Sequence, residues 1–96
     1  METREASGEE GEAVSEHDLK TWPDQYRAIL DGRKTFEVRL NDRAFDVGDT
    51  LLLKEWDPSP CGYTHREQRV RVTYILRGGQ FGIAPSHCVM SIERLP

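Results

Sequence analysis

The chain has 96 residues, of which 36% are hydrophobic and 31% charged, and its formal net charge is −4. This length suits one small domain, and no apolar run approaches the roughly 20 residues of a membrane helix, so we expect no membrane association. Two cysteines are too few for a disulfide scaffold. Because the acidic N-terminus does not resemble a secretory signal, we expect reduced thiols and a cytoplasmic protein.

The charge is distributed unevenly along the chain. Residues 1–16 carry six of the acidic residues and one basic residue, whereas residues 17–96 carry twelve basic and eleven acidic residues. Apart from Met1, Val14 is the only sizeable apolar side chain in residues 1–15, so burial there cannot offset the entropy lost on ordering. We predict a flexible acidic tail over 1–15 and one folded domain over 16–96. The tail has two open roles, a solvated segment or a mask over a basic groove when RNA is absent.

The first predicted elements are a short strand over residues 17–20 and a short helix. Thr21 is the predicted N-cap of the helix, Pro23 lies in its first turn and Gly32 follows its end. Apolar residues recur at helical spacing, which predicts one buried face. Its members are Trp22, Tyr26, Ile29 and Leu30.

Residues 35–40 alternate between polar and apolar side chains, as in a half-buried strand. We predict that the apolar set points into the core and that the polar set borders solvent or a cleft. The apolar set is Phe36, Val38 and Leu40, and the polar set is Thr35, Glu37 and Arg39.

Three more strands are predicted over residues 50–56, 66–76 and 88–95, with turns rich in proline and glycine between them. Five strands and one or two short helices in about 80 residues favour a mainly β fold (α+β). A small, partly closed β-barrel limits the exposed sheet edges. One face of the longest strand is predicted from Val70, Val72, Tyr74 and Leu76.

The densest group of chemically useful side chains lies where the helix gives way to the next strand. Lys34 is at this junction, and Thr35, Glu37 and Arg39 follow on one face of the strand. A solvent-exposed ion pair of little energetic value is one interpretation. The other is a cleft, which forms if the two strands that flank the helix lie side by side.

One motif in this region is specific enough to compare with known families. Residues 32–39 read G-x-K-T-x-E-x-R, and V-G-D follows at 47–49. Further matching runs lie at 17–23, 29–31, 41–43 and 55–57. Together they resemble the ASCH group of PUA-like domains, and within it a small bacterial and phage branch, over about residues 17–95. The resemblance implies a β-barrel with a cleft beside the first helix that binds RNA or a nucleotide.

The first function hypothesis is therefore a module that binds RNA or a nucleotide. Cationic side chains bind phosphates, Glu37 accepts a hydrogen bond from an exocyclic amine or a ribose hydroxyl, and aromatic side chains stack on an unpaired base. The candidate binding residues are Lys20, Lys34, Glu37, Arg39, Arg43, Trp56 and Tyr63.

Two alternatives from other classes stay open. One ASCH branch hydrolyses an acylated modified cytidine with a lysine, a threonine three residues later and a distant glutamate. Lys34 matches the lysine, but Glu37 occupies the threonine position, so a small amidohydrolase would use Lys34, Glu37 and the displaced Thr35. The other alternative is a protein-interaction domain with no nucleic-acid role.

A metal site is not expected from the cysteines and histidines. Zinc would need Cys61, His65, His87 and Cys88 at one centre. His87 and Cys88 are neighbours on a predicted strand, so their side chains point to opposite faces. The glycine-rich segment 78–82 lacks the Lys-Ser/Thr pair of a phosphate loop. We expect no metal and no cofactor.

Overall fold

The computed structural model describes residues 14–96, which form five strands and one helix. The elements are β1 (Glu16–Thr21), α1 (Pro23–Leu30), β2 (Phe36–Leu40), β3 (Thr50–Asp57), β4 (Gly62–Arg77) and β5 (His87–Arg94). All strands belong to one sheet with the order β1-β3-β4-β5-β2, curled into a half-barrel. The predicted mainly β class is confirmed. No helix in this part of the chain is long and apolar enough to cross a membrane.

The end of the predicted tail, residues 14–15, falls within the described part. Ser15 already belongs to the fold, because its amide donates to Asp49 Oδ1 at 3.2 Å and its carbonyl accepts the Thr50 amide at 3.0 Å. Residues 1–13 lie outside the described residues, and their predicted role stays a prediction.

The sheet combines a meander with two non-local pairings. Strands β3, β4 and β5 pair antiparallel in chain order, β1 pairs parallel to β3, and β2 pairs antiparallel to β5. Strands β1 and β2 therefore lie at the two ends of the sheet, although only α1 and a short loop separate them in sequence. The curl of the sheet leaves a seam between them.

The V-G-D motif has a structural role at the start of β3. The buried Asp49 carboxylate accepts hydrogen bonds from the Ser15 amide and, at 3.0 Å, from the Asp46 amide. His17 Nε2 on β1 lies 2.9 Å from Asp49 Oδ2, and its ring packs edge-on against Phe45. These contacts align β1 with β3.

Helix α1 covers the inner side of the sheet with Tyr26 and Ile29, as predicted. Trp22 and Leu30 were also expected on this buried face, but they are 55% and 37% exposed. Trp22 precedes the helix in extended backbone, so helical spacing does not apply to it. The buried cluster comprises Leu19, Tyr26, Ile29, Phe45, Leu51, Leu53, Val70, Val72, Cys88, Met90 and Ile92.

The predicted N-cap of α1 is wrong, whereas its C-terminal end is as expected. The cap position is Trp22, which makes no side-chain capping hydrogen bond, and Thr21 is instead the last residue of β1. The Thr21 hydroxyl donates to the Leu19 carbonyl at 3.3 Å. Gly32 follows the helix at φ +85°, a conformation in which glycine avoids steric cost.

The predicted orientation of β2 is wrong, because its apolar side chains point outwards. Phe36, Val38 and Leu40 are about half exposed, whereas Glu37 is 3% exposed and Arg39 is partly buried. The alternation itself is correct. The inner face borders the seam, where ion pairing makes burial of a carboxylate tolerable.

A β-bulge divides the longest strand, β4. Val70 and Val72 are buried as predicted, but the register with β5 shifts between Val72 and Tyr74. The extra residue reverses the alternation. Tyr74 therefore points outwards, and Ile75 packs against the core in its place.

Glu55 on β3 is another deeply buried carboxylate, 2% exposed. It lies at an irregularity in the β3–β4 register, where Thr64 and Arg66 approach it. The Thr64 hydroxyl donates to Oε1 at 2.7 Å and Arg66 Nε donates at 3.0 Å. The hydrogen bond from Arg66 is the largest cause that holds the pKa of Glu55 below its ordinary value of 4.5.

This lowered pKa predicts an acid-dependent loss of stability. A carboxylate whose folded-state pKa is depressed stabilises the fold above about pH 4.5, and this contribution disappears as pH falls through the folded-state value. We expect Glu55→Gln to be less stable than wild type at pH 7 and to lose less stability on acidification. Urea denaturation between pH 3 and 7 measures this. Glu93→Gln, which removes the half-exposed partner of Arg71, is the control and should follow the wild type. If the free energy of unfolding of wild type and Glu55→Gln changed with pH in parallel, the pKa of Glu55 would not be lowered in the folded state.

Gly78 lies where β4 leaves the sheet, and its backbone touches the returning loop. A Cβ atom there would overlap the carbonyl oxygens of Ala84 and His87, whereas a Cβ at Gly62 would meet no atom within 4 Å. We expect Gly78→Ala to lower the free energy of unfolding by about 1–3 kcal/mol. Gly62→Ala should stay within about 0.5 kcal/mol of wild type in the same urea titration. Equal effects of the two substitutions would show that the loop containing Ala84 moves away from the added Cβ atom without a loss of stability.

Candidate functional site

A cavity of about 420 Å³ lies at the seam between β1 and β2, beside the start of α1. It opens to solvent and reaches both faces of β2 at the sheet edge. Its walls come from the end of β1, from α1, from the loop after α1 and from β2. The lining residues are Lys20, Thr21, Trp22, Gln25, Lys34, Phe36, Glu37, Val38 and Arg39.

Glu37 is the centre of this cavity's polar wall. Its Oε1 accepts a hydrogen bond from Lys34 Nζ at 3.2 Å, and its Oε2 accepts one from Arg39 Nε at 2.8 Å. Both oxygens of a nearly buried carboxylate are thus neutralised by cations that are themselves only partly exposed. The carboxylate fixes the position of two cations at the cavity wall.

The end of α1 determines where Lys34 stands. The helix closes with hydrogen bonds from the Asp31 and Gly32 amides to the last turn, and the Lys34 amide then donates back to the Ala28 carbonyl at 2.9 Å. This returns the chain along the helix before β2 begins. Lys34 Nζ consequently reaches Gln25 Oε1 at 2.7 Å as well as Glu37.

Two arginine side chains bridge the seam that the sheet leaves open. Arg39 Nη2 donates to the Lys20 carbonyl at 3.1 Å and to the Thr21 hydroxyl at 3.3 Å. Arg43 Nη1 donates to the Asp18 carbonyl, two residues earlier on β1. Guanidinium groups thus take the place of strand pairing along the free edge of β1.

The free edge of β2 contributes backbone groups to the cavity. The Thr35 carbonyl accepts the Ile92 amide of the segment paired with β2. Because backbone groups in an antiparallel ladder alternate between the two edges, the amides and carbonyls of Phe36 and Val38 point towards the seam. They add donors and acceptors at fixed positions in the cavity wall.

The Trp22 indole lines the cavity next to the end of β1. Trp22 is 55% exposed and its ring centroid lies 6.1 Å from that of Trp56. Lys20 Nζ lies 4.3 Å from the Trp56 ring centroid, a cation–π contact. Trp56 supports both Trp22 and Lys20 from behind, although it does not line the cavity itself.

The structure gathers some of the predicted site residues and separates others. Lys20, Lys34, Glu37 and Arg39 line one cavity. Arg43 is hydrogen-bonded to β1 and does not line the cavity. Thr35 is exposed to solvent and does not line the cavity either.

Tyr63 belongs to a different place in the fold. It lies opposite Trp56 in the β3–β4 pairing and lines a separate cavity of about 170 Å³ with Lys54, His65, Arg66 and Glu67. Its predicted position in the cleft is therefore not observed. The predicted loop before it is present as a turn over residues 58–61, between the end of β3 at Asp57 and the start of β4 at Gly62.

Sequence reasoning missed five of the side chains that line the cavity. Trp22 was assigned to a buried helix face, Thr21 to a helix cap, and Gln25 was not considered. A tryptophan directly before Pro23 was the available signal, because an N-cap position lies outside the helical repeat. Phe36 and Val38 were assigned to the core and instead form an apolar part of the cavity wall.

Three arginine side chains of β4 are paired with acidic residues within the fold. Arg66, Arg69 and Arg71 each pair with an acidic residue, at 3.0, 2.7 and 2.8 Å respectively. Among residues 14–96, no group of three or more His, Cys, Asp or Glu side chains is placed to hold a metal ion. Cys61 is exposed and Cys88 lies in the core, where burial raises the pKa of its thiol.

Removal of Arg39 should destabilise the fold through both of its contacts. Arg39→Ala removes one of the two cations that contact Glu37 within the described residues and opens the bridge to β1, so we expect a loss of about 1–3 kcal/mol. Arg33→Ala removes an exposed pair with Asp31 and should cost less than about 0.5 kcal/mol. Urea denaturation at pH 7 compares them. Equal losses would mean that Arg39 is an ordinary surface cation.

Two comparisons with known proteins bear on this chain. Residues 16–92 match the domain of unknown function DUF3850, a range that includes every residue lining the cavity. A relative, the uncharacterized 12.9 kDa protein in the GpA 3′ region of Escherichia phage P2, is 35% identical over 57 residues. That match covers 59% of this chain and 50% of the phage protein, so the chain matches about half the length of this relative. The chain belongs to the DUF3850 family.

Proposed function

We propose that the seam cavity binds single-stranded RNA or a nucleotide, through a phosphate and one unpaired base. The observation that carries this proposal is the composition of the cavity. Three cations and a single carboxylate line it, so it keeps an excess of two positive charges, and an exposed indole stands beside them. The volume of about 420 Å³ is in the range of small-ligand sites.

The cations retain donors for a phosphate. An ammonium has three N–H groups, and within the described residues Lys34 Nζ uses two of them, towards Gln25 and Glu37. Among residues 14–96, Arg39 donates through Nε and Nη2, which leaves the two hydrogens of Nη1. Charge-assisted hydrogen bonds from such groups are the usual contacts to phosphate oxygens.

Trp22 supplies the surface for the base. Its indole is half exposed although it is one of the largest apolar groups of the chain, and Trp56 supports it. Stacking on an aromatic side chain contributes about 1–3 kcal/mol per base and tolerates any base. The backbone groups of Phe36 and Val38 at the free edge of β2 would then contact the edge of the stacked base.

The exposed apolar row on β2 is the observation that favours a protein-interaction domain instead. Two of its three members, Phe36 and Val38, also line the cavity, and Lys34 Nζ lies 5.2 Å from the Phe36 ring centroid. The row therefore continues into a strongly charged site, whereas charged residues are depleted at the centre of protein interfaces. This contrast supports nucleotide binding as the better proposal.

The amidohydrolase alternative has less support from the geometry. Both oxygens of Glu37 accept hydrogen bonds from cations, which disfavours their use as a general base. Thr35 lies outside the cavity lining, and the Thr21 hydroxyl within it contacts Arg39.

We also propose that DUF3850 is related to the ASCH group of PUA-like domains, because the G-x-K-T-x-E-x-R motif lies at a cleft beside the first helix. In this proposal the protein acts in the cytoplasm.

A matched pair of neighbouring cations tests the proposed function. Lys34→Ala removes a cavity cation and should weaken binding of a single-stranded oligoribonucleotide about tenfold, with the slope of log K against log salt reduced by about one. Arg33→Ala removes an adjacent cation that is exposed and bound to Asp31 outside the cavity, so it should change binding less than threefold. Fluorescence anisotropy at several salt concentrations measures both. Equal weakening by the two variants would indicate diffuse attraction and count against the cavity.

A further inference from the structure

A further cavity, here called the second cavity, adjoins the seam cavity at the start of α1. It measures about 370 Å³ and shares Trp22 and Gln25 with the seam cavity. Its remaining lining residues are Pro23, Asp24, Asp57 and Pro58. Trp22 thus stands at the boundary between two ligand-sized spaces.

The two cavities have opposite charge. The second cavity is lined by two carboxylates and no cation, whereas the first holds three cations. A phosphate in the second cavity would be repelled, because like charges at short range are unfavourable. Groups that carry N–H donors would be accepted by the carboxylates.

The two carboxylates have acceptor capacity to spare. Asp57 Oδ1 accepts the Ser59 amide at 3.0 Å, and Asp57 makes no salt bridge within residues 14–96. Asp24, in the first turn of α1, likewise has no salt-bridge partner in that part of the chain. A carboxylate accepts several hydrogen bonds, so each of these groups has positions available for a ligand donor.

Apart from the two carboxylates and the Gln25 amide, the second cavity is lined by apolar rings. Pro23 and Pro58 contribute rigid rings, and Trp22 contributes its indole. Planar heterocycles pack on such surfaces, and a nucleobase combines a flat apolar face with polar edges. Adenine, cytosine and guanine carry an exocyclic amino group on that edge, whereas uracil carries none.

We propose that the ligand is a single-stranded segment of at least two nucleotides, whose second base occupies this acidic cavity through its exocyclic amino group. This inference rests on the proposed function and specifies its ligand class. The phosphate stays with Lys34 and Arg39, the first base stacks at Trp22, and the neighbouring base lies between the prolines and the carboxylates. The cavity therefore prefers an amino-bearing base at the second position.

The test uses the full chain, isothermal titration calorimetry and four probes. The probes are uridine 5′-monophosphate and the 5′-phosphorylated dinucleotides pUpU, pUpA and pApU. We expect the dinucleotide that places adenine in the second cavity, either pUpA or pApU according to the direction of the strand, to bind about tenfold more tightly than pUpU. It should exceed the mononucleotide by the same factor, as one added base contact would give. Asp24→Ala and Asp57→Ala should each reduce this preference at least threefold and leave the affinity for the mononucleotide unchanged. Asp46→Ala removes an exposed carboxylate outside both cavities and is the control.

The outcomes separate this inference from the function on which it rests. If the mononucleotide binds and every dinucleotide binds equally well, the proposed function stands and the second subsite is refuted. If the adenine preference survives in both aspartate variants, the second base lies elsewhere and the inference is again overturned. Failure of all four probes to bind overturns both proposals. A preference that Asp24→Ala and Asp57→Ala reduce but Asp46→Ala does not supports the subsite.

Discussion

The burial of Glu37 is the constraint on which the rest of this site depends. A carboxylate removed from water needs cationic partners, and Lys34 and Arg39 supply them from the two sides. Arg39 then reaches across the seam to β1, so the same ion pair that satisfies Glu37 also connects the two ends of the sheet. Strand β2 has five residues and pairs only with β5 in the described sheet, so the hydrogen bonds of Arg39 to Glu37 and to β1 help to hold it in place. The candidate site and the closure of the half-barrel are consequently one structure.

Local patterns in the sequence were sufficient for the elements and for the grouping of the charges. Alternation predicted β2, and Gly32 predicted the end of α1. The spacing of Lys34, Glu37 and Arg39 predicted that they converge, and the structure places them in one cavity. These features depend on neighbours within a few residues. Such features can therefore be predicted from a short segment without knowledge of the remaining chain.

The errors arose where a distant part of the chain decides the outcome. Which face of β2 is buried depends on the seam with β1, and no residue near Phe36 or Val38 reveals that the inner side is polar. The bulge in β4 turns Tyr74 outwards, although Val72 and Tyr74 share one phase in the sequence. Tyr63 and Trp56 are seven residues apart and cross-strand partners, yet Trp56 supports the seam cavity and Tyr63 lines another. Sequence periodicity gives the alternation along a strand but not the environment of each face.

The order of strands in the sheet has a consequence for how the protein folds. Strands β3, β4 and β5 pair with their neighbours in sequence, so their contacts close short loops. Strand β2 must find β5, and its Val38 lies opposite Val89, 51 residues later in the chain. Loop-closure entropy makes such long-range pairings the slow ones, so we expect the meander to assemble first and β1 and β2 to join it last. The surface that β1 and β2 create together is then completed only in the final stage of folding, and a molecule bound there would slow unfolding by holding the last-formed contacts closed.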